Sequence, residues 1–135
     1  MSSAIQQSVK FNATPRQLFE MYLDSKKHAA ATKAAARLSR KPGGRFWAHN
    51  RMVFGRNLVV IPNSMIVQAW RAKPWTSSVT DSILVLTFRK VPGGAQADLV
   101  HVNVPPYDHA GVTKGWRNYY WKPWKEYLAR QRAKA

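Results

Sequence analysis

Apolar and polar positions alternate singly in some stretches of the chain and recur every three or four residues in others, and these two periods divide it into elements. Ile5, Gln7, Val9 and Phe11 alternate with Gln6, Ser8 and Lys10, which predicts a half-exposed first strand. Thr14-Pro15 then provides an N-cap followed by proline at the first helical position, with Gln17 in the capping-box place. Leu18, Phe19, Tyr22 and Leu23 give that helix its apolar face, and Asp24 or Ser25 caps a second short helix through His28 and Ala31. Beyond about Arg37 the period changes to that of strands. Pro42-Gly43-Gly44, His49-Asn50-Arg51, Pro62-Asn63-Ser64 and Pro92-Gly93-Gly94 are turn signals. Between them the expected strands are Arg45–Ala48, Met52–Ile61, Met65–Arg71, Ser82–Lys90 and Ala95–Val104, spaced as an antiparallel meander.

Pro105-Pro106 ends the strands, and a long terminal helix is expected from about Asp108–Gly111. Six of the chain's sixteen aromatics fall between Trp116 and Tyr127. At about 100° per residue, Val112, Trp116, Tyr119, Tyr120, Pro123, Trp124 and Tyr127 share one face, with Lys114, Asn118, Lys122 and Lys125 opposite. So heavy a stripe needs a broad apolar partner, which the strands supply. Pro123 removes one backbone bond and predicts a kink. The whole is expected to be a single α+β domain over 1–135, with 1–3 and 129–135 frayed.

The chain has no cysteine, which excludes disulfides, thiolate catalysis and cysteine-ligated metals. The first residues lack a basic segment followed by an apolar core, and no run approaches a membrane span, so a cytoplasmic setting is expected. Twenty-two Lys and Arg against six Asp and Glu give a net charge of +16. That field attracts phosphate backbones or acidic proteins, or is simply a well-solvated surface.

Candidate chemistry is sparse. His28, His49, His101 and His109 have no His-x-x-x-His spacing and no accompanying Glu, so no metal or cofactor is expected. The acids form no sequence-adjacent pair, and no residue set argues for an enzyme. His101 and Asn103 alternate with Val100, Val102 and Val104. They either point into a pocket and orient a polar ligand group, or face solvent while the valines face the core. Both glycine pairs sit between strands and read as hairpin turns rather than phosphate cradles. Arg37, Arg40, Lys41, Arg45, Arg51 and Arg56 gather along the first hairpins around Phe46 and Trp47. Charge alone then predicts non-specific nucleic-acid binding at low salt.

Ala13-Thr14-Pro15, Pro42-Gly43-Gly44-Arg45-Phe46, Ile66-Val67-Gln68-Ala69-Trp70-Arg71 with Trp75, and Gly115-Trp116 followed by Tyr119-Tyr120 and Trp124 stand in an order that resembles one family. It is the C-terminal-like domain of the activators of heat-shock-protein-90 ATPase, within the START-like (SRPBCC) helix-grip superfamily, and the resemblance spans Gln6 to Leu128. It implies a curved antiparallel sheet of about seven strands, a long C-terminal helix across it, two short helices after the first strand, and often an apolar cavity between helix and sheet. In eukaryotic co-chaperones such a domain accompanies a separate N-terminal domain that stimulates the chaperone's ATPase. Two stretches depart from the family pattern. Lys33 stands where glycine is usual, and Trp47, His49, Asn50 and Arg51 replace small residues and glycine, so that Trp47 either fills part of the cavity or joins a recognition surface.

Together these readings predict a module that encloses a small apolar ligand or binds a partner protein, a chaperone or another acidic protein. Phe46, Trp47, Trp70, His101, Asn103, Trp116, Tyr119 and Tyr120 are the candidate lining residues. Co-chaperone-like regulation of heat-shock protein 90 and charge-driven nucleic-acid binding are the alternatives.

Overall fold

A computed structural model describes residues 3–134. Strand β1 (Ile5–Phe11) leads to helices α1 (Pro15–Leu23) and α2 (Ser25–Thr32). Six more strands follow: β2 (Arg37–Leu38), β3 (Arg45–Ala48), β4 (Val53–Ile61), β5 (Met65–Ala72), β6 (Ser82–Val91) and β7 (Gly94–Val102). They form one antiparallel sheet in the order β1-β7-β6-β5-β4-β3-β2, so only β1 pairs out of sequence, against β7. A 3-10 turn at Pro106–Asp108 opens a helical run made of α3 (His109–Trp116), a π turn (Arg117–Trp121) and α4 (Lys122–Lys134).

Local chemistry sets the helix starts. Thr14 caps α1: its side chain accepts from the Gln17 N–H at 3.1 Å, and the Gln17 side chain accepts from the Thr14 N–H at 2.8 Å. Asp24 ends α1 and caps α2 through the Lys27 N–H at 3.0 Å. Each bond satisfies a donor that the helix itself leaves open. Leu18, Phe19, Tyr22 and Leu23 of α1 are buried together with Met21 against the inner face of the sheet, where Ile66, Leu84, Leu86, Phe88 and Leu99 converge. Gly55 faces Trp70 across β4 and β5. A Cβ there would collide with the Ala69 carbonyl and the Phe46 ring.

Three departures from the sequence reading have physical causes. Strand β4 starts at Val53 rather than Met52, because His49, Asn50 and Arg51 all adopt left-handed backbone, with φ of 50°, 56° and 73°. Strand β7 stops at Val102 rather than Val104, because Asn103 turns left-handed at φ 65°. His101 and Asn103 therefore do not share a face. His101 is fully buried, while Asn103 is exposed and donates to Thr80 Oγ1 at 2.7 Å and to the Asp81 carbonyl at 3.1 Å. The solvent-facing option for His101 is thus corrected, and it is Val102 that faces outward.

The terminal helix is the third case. Its π turn closes with the Lys122 N–H on the Arg117 carbonyl, a five-residue step, which puts one extra residue into the turn. The buried stripe accordingly moves from Trp116 and Tyr120 to Trp121, Trp124 and Leu128. Tyr119 is left 62% exposed, so the single face expected from a uniform α-helix is corrected. The turn directly precedes Pro123, which has no N–H to offer the Tyr119 carbonyl. Helix α4 runs from Lys122 to Lys134. Residues 1, 2 and 135, expected to be frayed, lie outside the described residues.

Candidate functional site

A cavity of about 600 Å³ opens between the first half of the terminal helix and one end of the sheet. Its walls come from the end of α2 (Thr32, Lys33, Ala34), the β3–β4 turn (His49, Asn50, Met52, Val53) and β5 (Trp70, Ala72) with Pro74. The helical side contributes Asp108, Gly111, Val112, Gly115, Trp116, Tyr119 and Tyr120. Gly111 and Gly115 are four residues apart, hence on one helical face. Their missing side chains leave room that larger residues would fill. A second depression of about 940 Å³, between the Asn12–Gln17 and Lys90–Gly94 segments beside Arg132, has no aromatic wall.

Four of the eight candidate residues meet at the cavity: Trp70, Trp116, Tyr119 and Tyr120. The other four lie outside its lining. Phe46 is buried in the core, and His101 stands behind the indoles of the wall. Asn103 is in the loop after β7. Trp47 points away from the core, half-buried, with the Arg51 guanidinium 4.4 Å from its ring centre. It does not fill the cavity.

The wall is fixed by a directed chain of hydrogen bonds. Trp116 Nε1–H donates to His101 Nδ1 at 3.1 Å, so the ring proton sits on Nε2 and is donated to Ser82 Oγ at 2.8 Å. The Ser82 hydroxyl then donates to the Trp70 carbonyl at 2.6 Å. One imidazole, through Ser82, thus ties the Trp116 indole to the Trp70 backbone, and the two indole rings lie 6.2 Å apart between centres. The tie requires a neutral ring, and burial pushes the His101 pKa down to about 3. A second buried histidine is held similarly. His28 Nδ1–H donates to the Tyr22 carbonyl at 2.6 Å and Nε2 accepts from the Tyr120 hydroxyl at 2.9 Å. Burial lowers its pKa to about 4.

Polar groups at the mouth are less satisfied. Only three buried side-chain nitrogen or oxygen atoms among the described residues have no partner, and two belong to the cavity wall: Trp70 Nε1 and His49 Nε2. His49 packs on Tyr120 at 4.9 Å and Tyr119 at 5.8 Å between ring centres. Its left-handed turn is braced by Asn50, whose N–H donates to the Ala35 carbonyl and whose Oδ1 accepts from the Ala35 N–H. Asn50 adopts this region readily, whereas His49 and Arg51 beside it store backbone strain of about 1–2 kcal/mol each. Lys33, also in the wall, is left-handed at φ 62° as the C-cap of α2. The one acid in the wall, Asp108, is engaged by Trp75 Nε1 at 2.7 Å. Among the described residues no group of three His, Cys, Asp or Glu gathers to hold a metal.

The role of His49, Asn50 and Lys33 at the mouth went unrecognised in the sequence, although departure from the family pattern marked all three. Gly111 and Gly115, spaced i and i+4 in an otherwise bulky helix, were a legible sign of space and were also missed.

A family model described as Activator of Hsp90 ATPase homolog 1-like protein matches residues 12–129. The chain is 26% identical over 110 residues to the activator of 90 kDa heat shock protein ATPase homolog of Dictyostelium discoideum, covering 80% of this chain and 28% of that protein. It is 27% identical over 116 residues to the human homolog 1, covering 86% and 34%. It therefore spans about a third of the length of the curated relatives it matches. An HSP90 activator from Plasmodium falciparum superposes with a TM-score of 0.87 at 18% identity, covering 95% of this chain and 97% of that one. An Aha1 dimer from Colwellia psychrerythraea does so at 0.74 and 11%, covering 87% and 90%. No helix among the described residues is long and apolar enough to cross a membrane.

Proposed function

The chain belongs to the Activator of Hsp90 ATPase homolog 1-like family, and on that premise we propose that it is a binding module whose helix–sheet cavity encloses a small, largely apolar molecule. The observation that carries this reading is the cavity itself. It has about 600 Å³ of space in a fold otherwise packed with large rings, walled by Trp70, Trp116 and Tyr120. That volume lies within the range of small-molecule sites, in which apolar burial supplies affinity and a few polar groups supply orientation. The site is read as a container: the two buried histidines behind its wall, His28 and His101, are neutral and already committed to structural bonds. The test is calorimetric titration of the protein with naphthalene-sized aromatic compounds. Saturable one-to-one binding that is weakened by filling the cavity through Gly115→Leu supports the reading. Binding unaffected by Gly115→Leu, in a variant that still folds, refutes it.

A second reading rests on the opposite face of the sheet and on the names of the relatives. Trp47 and Phe54 pair across β3 and β4, and Phe54 also faces Arg71 across β5. Around them Arg37, Arg45, Arg51 and Arg56 make no ion pair among the described residues. Aromatic surface ringed by unpaired arginines suits an acidic protein partner. The 90 kDa heat shock protein is the natural first candidate, given the relatives' names. Direct binding that Arg45→Glu with Arg56→Glu abolishes, together with a changed ATPase rate, would support this reading. No binding at low salt would end it.

A further inference from the structure

One segment of the sheet's edge carries no charge and has no neighbour. Strand β3 pairs with β4 only over residues 53–56. The turn before β3 reaches one residue further, with the Asn57 N–H on the Gly44 carbonyl and the Gly43 N–H on the Asn57 carbonyl. Past a register shift between Asn57 and Val59, residues 58–61 keep β5 on one side and have no strand on the other among the described residues. Such a segment offers a row of backbone donors and acceptors to any strand that arrives. Its side chains are all apolar: Leu58, Val59 and Ile61 are 38%, 39% and 46% exposed, while Val60 packs on the core. The register shift and Pro62 bound the segment, but neither lies within it. Edges are commonly blunted by charge or by shortness. The others here follow that rule: β2 is two residues long with an exposed Arg37, and β1 presents Gln6, Ser8 and Lys10.

Charge says what the occupant is. The chain carries +16, yet residues 57–70 are its longest stretch without a charged side chain. An acidic protein or a nucleic acid gains nothing from a neutral edge and is drawn instead to the arginines. Two copies of so basic a chain repel wherever those arginines meet, and at this edge they can touch with the least of that cost. We propose that residues 58–61 pair antiparallel with the same segment of a second copy, joining the two sheets across a two-fold axis. Pairing centred on Val60 sets Val59 of each copy against Ile61 of the other on the outer face, beside Val67 and Met65 of β5. Each Arg56 then stands opposite Ser64 rather than another arginine. Registers one residue away would set an outer side chain against an inner one, which the strand period of two forbids. The inference is independent of the cavity.

Light scattering and analytical ultracentrifugation of the full chain read its oligomeric state across concentration and salt. The expected result is a reversible monomer–dimer equilibrium that tightens as salt screens the repulsion between copies. Binding to a nucleic acid or an acidic protein would weaken with salt instead. Val59→Lys combined with Ile61→Lys, both at exposed positions, sets like charges directly opposite and should raise the dimer dissociation constant about tenfold or more. In the wild-type chain, amide hydrogen exchange at residues 58–61 should slow as concentration is raised, a readout that needs no variant. A chain that stays monomeric at millimolar concentration in high salt overturns the inference. So does a dimer whose affinity the double substitution leaves unchanged, or one in which these amides exchange as fast as in the monomer. A chain that remains monomeric but takes an added apolar strand peptide onto this edge uses it for a foreign strand, and the second copy is then excluded.

Discussion

The two halves of the terminal helix use the same kind of residue to opposite ends. Beyond the π turn, Trp121 and Trp124 close on Phe11 at 6.0 and 5.7 Å between ring centres, and Trp124 is fully buried. Before the turn, Trp116 stands beside Gly111 and Gly115, and the space they leave stays open. One half anchors the helix and the other roofs a cavity. Aromatic content alone therefore does not tell core from site. What tells them apart is whether small residues lie between the large ones.

The comparison can be broken at its strongest point first. Trp124→Ala should cost about 3–5 kcal/mol of unfolding free energy in denaturant titration, the range for emptying a packed aromatic site. Trp116→Ala should cost less, about 2–3 kcal/mol, since part of that ring already borders open space, while weakening any ligand binding. Equal losses at the two positions would erase the distinction between anchor and roof.

The cavity end should also be the more acid-sensitive. His101 and His28 have folded pKa values of about 3 and 4, below the ordinary histidine value. As pH falls through about 6.5, the unfolded chain takes up protons that the folded chain refuses, so stability is complete above that pH and is lost below it. Each ring contributes a slope of about 1.4 kcal/mol per pH unit down to its folded pKa. His101→Gln should flatten the slope by one proton's worth, measured as unfolding free energy between pH 7 and 5. A slope unchanged in that variant would mean that the neutral relay between Trp116 and Trp70 is not what resists protonation.

Smaller changes sharpen the picture. Gly115→Ala should add up to about 1 kcal/mol, because alanine favours helix over glycine and the new Cβ meets only the Tyr119 ring at 3.5 Å. The same methyl narrows the cavity, so stability and probe affinity should move in opposite directions. Lys33→Gly should add about 0.5 kcal/mol in thermal or denaturant unfolding by relieving its left-handed cap. A loss there would show that the lysine side chain itself holds the mouth.

Much of the fold was legible. Capping chemistry at Thr14 and Asp24 and the single alternation of β1 are local signals, and the structure follows them. What could not be seen from periodicity was the π turn, since a 100° template has no place for an inserted residue. That one turn moved Trp121 inward and Tyr119 outward. The alternation after Val102 failed in the same way, because a left-handed Asn103 ends the strand rule that would have kept it beside His101. At the site, the large rings Trp70, Trp116 and Tyr120 were recognisable by type. The mouth was not, because His49, Asn50 and Lys33 hold backbone conformations that their identities do not advertise.

The inserted residue between Arg117 and Trp121 also bears on how such a protein can vary. In an uninterrupted helix the facing of every residue is tied to every other, so re-aiming the roof would swing the anchor with it. The extra residue acts as a vernier joint. Substitutions ahead of it can remodel the opening while Trp124 and Leu128 stay in place, and a single deletion there would bring both halves back onto one dial.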